Sequence, residues 1–202
     1  MRVSTAALLA IVLAVAAGAA VAHADPPDGP EEPASAPERD GPPRNYGNLR
    51  IGASTANENG RPELCLELAP LAFLSVEGCG TGSGFLHRDP EAELAHFGVK
   101  LRAASIETDF AWLEPNIGVG FAELQVGADD PGFRFDSTGP RGIETAGPEI
   151  GASLRALVEI AEGFEGVLEA RFALAYLPEA PHLVRPFPEL MPSAEITLGA
   201  GF

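Results

Sequence analysis

The chain has 202 residues, a mass of 21.0 kDa and a formal net charge of −16 at pH 7, with 46% apolar and 21% charged residues. That apolar share excludes a disordered chain, and 23 glycines with 19 prolines exclude a helical bundle, so an all-β domain of short elements and turns is expected. The acidity excludes non-specific nucleic-acid binding, and two cysteines exclude a four-cysteine zinc site.

Arg2 is the only charged residue before Asp25, and Ala6 to Ala22 is an unbroken run of small and apolar residues ending at Ala22-His23-Ala24. A positive start, an apolar middle and an A-x-A site mark residues 1–24 as a secretory signal. The competing reading, a retained membrane anchor, lacks a Lys/Arg stop-transfer cluster. Residues 25–45 hold seven prolines, six acids and two bases in 21 positions. With almost nothing to bury, this segment is expected to be an extended, disordered linker.

Tyr46 to Phe202 then reads as one domain of period-two alternation. Eight strands are expected, at about 47–56, 62–69, 73–85, 94–113, 116–126, 150–161, 166–177 and 193–202. In the last, Ala194, Ile196, Leu198, Ala200 and Phe202 share one face, opposite Glu195, Thr197, Gly199 and Gly201. The connections alternate. Long ones lie at 57–61, 86–93, 127–149 and 178–192, and tight turns lie near Pro70, Pro115 and Gly163. In the fourth segment the apolar phase slips at Ala103-Ala104, which either a β-bulge or an extra turn would produce.

Opposite the apolar faces lie five cations, Arg50, Lys100, Arg102, Arg155 and Arg171, with six acids, Glu67, Glu77, Glu123, Glu159, Glu169 and Glu195. Placing Glu123 there requires a second phase slip, near Ala122. These eleven residues are expected to form an interior charge network that fills the bore of an eight-stranded barrel. Tyr46, Phe73, Trp112, Phe164 and Phe202 fall at the short-turn end, and Phe85, Phe97 and Tyr176 at the long-loop end, as two aromatic girdles. Centring a hairpin on Ala72 sets Leu66 opposite Gly78, Glu67 opposite Glu77 and Cys65 opposite Cys79. Opposed positions on antiparallel strands lie within disulfide reach, so Cys65 and Cys79 are expected to be bonded in an oxidising compartment.

The signal, the alternating strands and the terminal run from Ala194 to Phe202 resemble the small eight-stranded outer-membrane β-barrels of Gram-negative bacteria. The resemblance implies an antiparallel up-and-down transmembrane barrel contacting outer-membrane lipids. It makes Phe202 part of the signal read by the barrel assembly machinery. It implies a structural or surface-interaction role through the loops 127–149 and 178–192. The rival reading is a soluble periplasmic or secreted β-barrel that turns its apolar face inward around a lipid-like ligand.

Other candidate chemistry is weaker. Ser83 with His87, or Ser105 with His96, would suit a surface lipid hydrolase, but no G-x-S-x-G elbow is present and no enzyme is expected. Gly78, Gly80, Gly82 and Gly84 would make a shallow trough for an acyl chain, although such glycines more often ease strand bending. Asp129, Asp130 and Asp136 fit no calcium-loop template, and His87, His96 and His182 lack metal-like spacing, so no metal or cofactor is expected.

Overall fold

A computed structural model describes residues 46–58, 60–82, 91–127 and 142–202. The signal and linker expected over 1–45 lie outside the described residues, as do Ser83, Gly84, Phe85, His87, Asp129, Asp130 and Asp136. The strands in chain order are β1 (Gly47–Ser54), β2 (Glu63–Leu71), β3 (Leu74–Gly80), β4 (Ala92–Arg102), β5 (Ile106–Glu107), β6 (Trp112–Val126), β7 (Glu144–Ala161), β8 (Phe164–Tyr176) and β9 (Leu190–Gly201). Every neighbouring pair is antiparallel, β1 joins β9, and β4 pairs with β6, which closes the sheet into a barrel. β5 continues β4, so the barrel has eight staves.

Two sequence expectations shift in this region. The turn expected near Pro115 lies at Thr108–Ala111, where the Thr108 amide donates to the Ala111 carbonyl at 2.9 Å. Pro115 sits inside β6, and its carbonyl accepts the Ala103 amide at 2.9 Å. Proline has no N–H to return that bond. The ladder breaks there: Arg102 pairs with Asn116 and Ile106 with Leu113, so residues 103–105 oppose only 114–115. The phase slip is therefore a β-bulge. Second, β7 starts at Glu144 rather than 150, and β9 at Leu190 rather than 193, so the long connections are 127–143 and 177–189. The backbone at Thr145 to Pro148 keeps pairing with β6.

The β2–β3 register pairs Cys65 with Cys79, Leu66 with Gly78 and Glu67 with Glu77. Cys65 and Cys79 form a disulfide, with Cα atoms 4.1 Å apart. Glycine is required by close approach at the seam of β1 and β9. A methyl group added at Gly199 would lie 1.9 Å from the Leu49 carbonyl oxygen and 2.8 Å from Arg50 Cγ. A side chain there would push the seam apart and displace Arg50.

Candidate functional site

The alternation sorts the residues into two unlike faces. Outward, every stave carries large apolar side chains: Leu49, Leu66, Val76, Leu101, Val119, Ile150, Phe172 and Leu198 are each between 46% and 61% exposed. Tyr46, Phe73, Phe110, Phe164 and Phe202 ring the short-turn end, and Tyr176 lies at the other. Phe97 stacks on Phe121 with centroids 5.4 Å apart and covers the outward face of Gly78, 3.2 Å from where a methyl would stand. The glycine trough is thus occupied at that point by an aromatic ring.

Inward, the barrel holds ion pairs drawn from most of its staves. At the centre are Arg50, Lys100 and Arg155 with Glu67, Glu77 and Glu169, none more than 5% exposed. Lys100 Nζ lies 2.7 Å from Glu77, 2.7 Å from Glu169 and 3.0 Å from Glu67. Arg50 donates to Glu67 at 3.1 Å and pairs with Glu77 and Glu169. Arg155 donates through Nε to Glu169 at 2.9 Å and pairs with Glu67. Two cations, Arg50 and Lys100, therefore lie between the directly opposed Glu67 and Glu77. Three cations meet three carboxylates, so the cluster is neutral as a set.

Two smaller groups flank it. Toward the short turns, Arg102 lies 2.9 Å from Glu114, and the Ser105 hydroxyl donates to Glu114 at 3.1 Å. Toward the long loops, Arg171 pairs with Glu149 and lies 3.2 Å from Glu195. His96 faces Glu149 through Nδ1 and Glu195 through Nε2, the latter at 2.9 Å. Glu63 is fully buried on the same side, and neither of its carboxylate oxygens has a hydrogen-bond partner. Ser105 and His96 are thus bound to different partners rather than to each other.

The network differs from the expected set in two places. The register of β6 runs unbroken against both β4 and β7, so no second phase slip occurs. Glu123 therefore shares the parity of Val119 and Phe121 rather than that of the inner network, although it is itself buried. Glu159 keeps the inward phase but lies exposed at the short-turn rim. Sequence reasoning missed Glu63, His96, Glu114 and Glu149 as members. Their parity on β2, β4, β6 and β7 matches that of the residues it did place.

It also missed an apolar cap. Leu94, Ala122, Leu124 and Val126 point into the mouth at the long-loop end and pack with Leu177, Ala180 and Leu183 of the last long loop. That loop contains a 3₁₀ turn over Ala180–His182. It is tied down by the Val184 amide on the Gly142 carbonyl at 2.8 Å and by Arg185 on Glu58 at 2.6 Å.

No protein-family model and no curated protein matches the chain. Among solved structures, it is similar to Ail, the attachment invasion locus protein of Yersinia pestis, at 13% identity over 78% of this chain and 97% of that one, with a TM-score of 0.33. A second structure of Ail, in complex with the heparin analogue sucrose octasulfate, gives 11% identity over 77% and 95%, with a TM-score of 0.35. Scores that low add nothing to what the strand order and side-chain facing establish. By those two features the chain is a closed eight-stranded, antiparallel, up-and-down β-barrel with an apolar outer face and a charged interior.

Proposed function

We propose that this is an outer-membrane barrel, exported by its signal, with a non-enzymatic structural or surface-interaction role and a bore plugged by side chains. The observation that carries the reading is the polarity of the two faces: apolar residues outside on every stave, ion pairs inside. A soluble barrel holding a lipid-like ligand needs the reverse. Its lumen would not be filled by Arg50, Lys100 and Arg155. Lipid chains are the natural solvent for the outer belt, and the aromatic rings suit its two interfaces. The central ion pairs and the apolar cap block the lumen in series, which supports a closed cylinder over a diffusion pore. Contact with a surface ligand falls to the long connections, where the exposed His182, Val184 and Arg185 and the half-buried Glu179 are presented.

Fractionation tests the location. The mature protein should stay with the membrane pellet after osmotic shock and enter solution only with detergent. Recovery in the water-soluble periplasmic fraction would refute the reading. Planar bilayers test the plug: no large, steady single-channel conductance is expected, and its appearance would overturn the closed cylinder.

A further inference from the structure

Glu63 is a buried inner acid that stands outside the ion pairs described above. It is 0% exposed, and both its carboxylate oxygens are buried without a hydrogen bond. A carboxylate oxygen of Glu63, one of Glu195 and the Cys79 Sγ all lie within 4.8 Å of one another. From the separation and the donor set, we infer that Glu63 and Glu195 hold one small, hard cation between them, of sodium or calcium size.

Three observations carry this. The first is charge. On this side of the interior, Glu63, Glu149 and Glu195 face Arg171 and His96. With all three acids ionised and His96 counted as a full cation, one negative charge is left over, which a proton or a bound cation must offset because a lone charge in a confined site is costly. The second is distance. A cation that binds oxygens at about 2.3–2.6 Å fits between two oxygens up to roughly 5 Å apart. The third is chemistry. Cys79 is tied to Cys65 in a disulfide, so its sulfur offers no thiolate, and the strong donors are carboxylate oxygens. Such a set favours hard cations over zinc or copper. The backbone prepares the site. β1 runs between β2 and β9, and its inward residue opposite Glu63, Gly52, adds no side chain there, while Ser54 is the β1 residue opposite Glu195. The spacing rules that exclude metal loops from the sequence do not apply, because the two ligands come from β2 and β9, far apart in sequence.

The test uses the mature chain refolded in detergent micelles and stripped with EDTA. Thermal unfolding is followed by circular dichroism at constant ionic strength in choline chloride, sodium chloride or calcium chloride. Sodium or calcium should raise Tm relative to choline, and the arm that responds identifies the ion. A calcium response should be half complete at about 10⁻⁴–10⁻³ M, the range of extracellular sites. Glu63→Gln should abolish the response, and Glu58→Gln, at an exposed loop acid, should leave it intact. If Glu63→Gln does not refold, Glu63→Asp should move the half-effect concentration at least tenfold higher. No response to either cation in the parent protein, or an unchanged response in the Glu63 variants, would overturn the inference.

Discussion

Removing Arg50 probes the central cluster directly. Its guanidinium pairs with Glu67, Glu77 and Glu169, and it is 2% exposed. Arg50→Met keeps much of the volume but leaves those three carboxylates with only Lys100 and Arg155. Taking one partner from a buried ionic cluster costs about 3–5 kcal/mol, because a charge stays buried without compensation. With a urea dependence near 2 kcal/mol per M, the unfolding midpoint should fall by about 2 M. Arg185 is the control: its pair with Glu58 is largely exposed, and Arg185→Met should cost less than about 1 kcal/mol. The double variant Arg50→Met/Glu169→Met restores a balance of two cations and two acids, so it should cost less than the sum of the two single changes. Unfolding from lipid vesicles can be followed by the fluorescence of Trp112, the only tryptophan. A midpoint for Arg50→Met no lower than that for Arg185→Met, or strict additivity in the double variant, would refute the reasoning.

Three further changes and one direct measurement test other parts of the structure. Ile150→Arg, on the outer face opposite Val119, should cost about 2–4 kcal/mol of folding free energy in bilayers if it lies near the midplane; a negligible cost would contradict lipid contact. Deleting Phe202, or changing it to Ser, should block insertion and leave degraded periplasmic protein; normal membrane levels would count against an assembly signal. Mass spectrometry of the unreduced protein, alkylated before digestion, should find Cys65 joined to Cys79, and two alkylated cysteines would exclude the bond in the native protein. Gly199→Ala should lower the unfolding midpoint more than Gly60→Ala, since Gly60 has a φ of 66° but open space around it; equal effects would argue against a close seam.

Much of the architecture was legible because one physical constraint repeats. A wall between two unlike media imposes period two, and each hairpin then fixes its own register. The expected positions of Arg50, Lys100, Arg155 and Arg171 follow from parity alone. Errors arose where a local signal was weighed above that constraint. Pro115 suggested a turn, yet a proline is tolerated in the strand because the ladder is already failing at the adjacent bulge. That misplaced turn left Glu114 outside any strand. Glu123 was moved inward because it is charged, although unbroken alternation gives it the parity of Val119 and Phe121. Glu149 was lost by one residue at an assigned strand start. The apolar cap was invisible for a different reason. Leu124 looks like an outer-face residue once Glu123 is set inward, and only the fold of the 177–189 loop over the mouth gives it and Leu94 their apolar partners.

The glycine-lined seam also bears on how the barrel forms. Hairpins such as β2–β3 and β7–β8 join neighbours in sequence and can form early, because little chain must be ordered to bring them together. The β1–β9 ladder is different: Asn48 meets Gly201, near opposite ends of the domain. This is the step of longest sequence separation, and it completes the circumference. Bare backbone at Gly199 and Gly52 lets the two edges approach without first rearranging side chains. Arg50, carried on one of those edges, reaches Glu169 on β8 as the circle closes. Closure and neutralisation of the interior thus become a single event, and a barrel stalled just before it would carry both an open edge and an incomplete set of ion pairs.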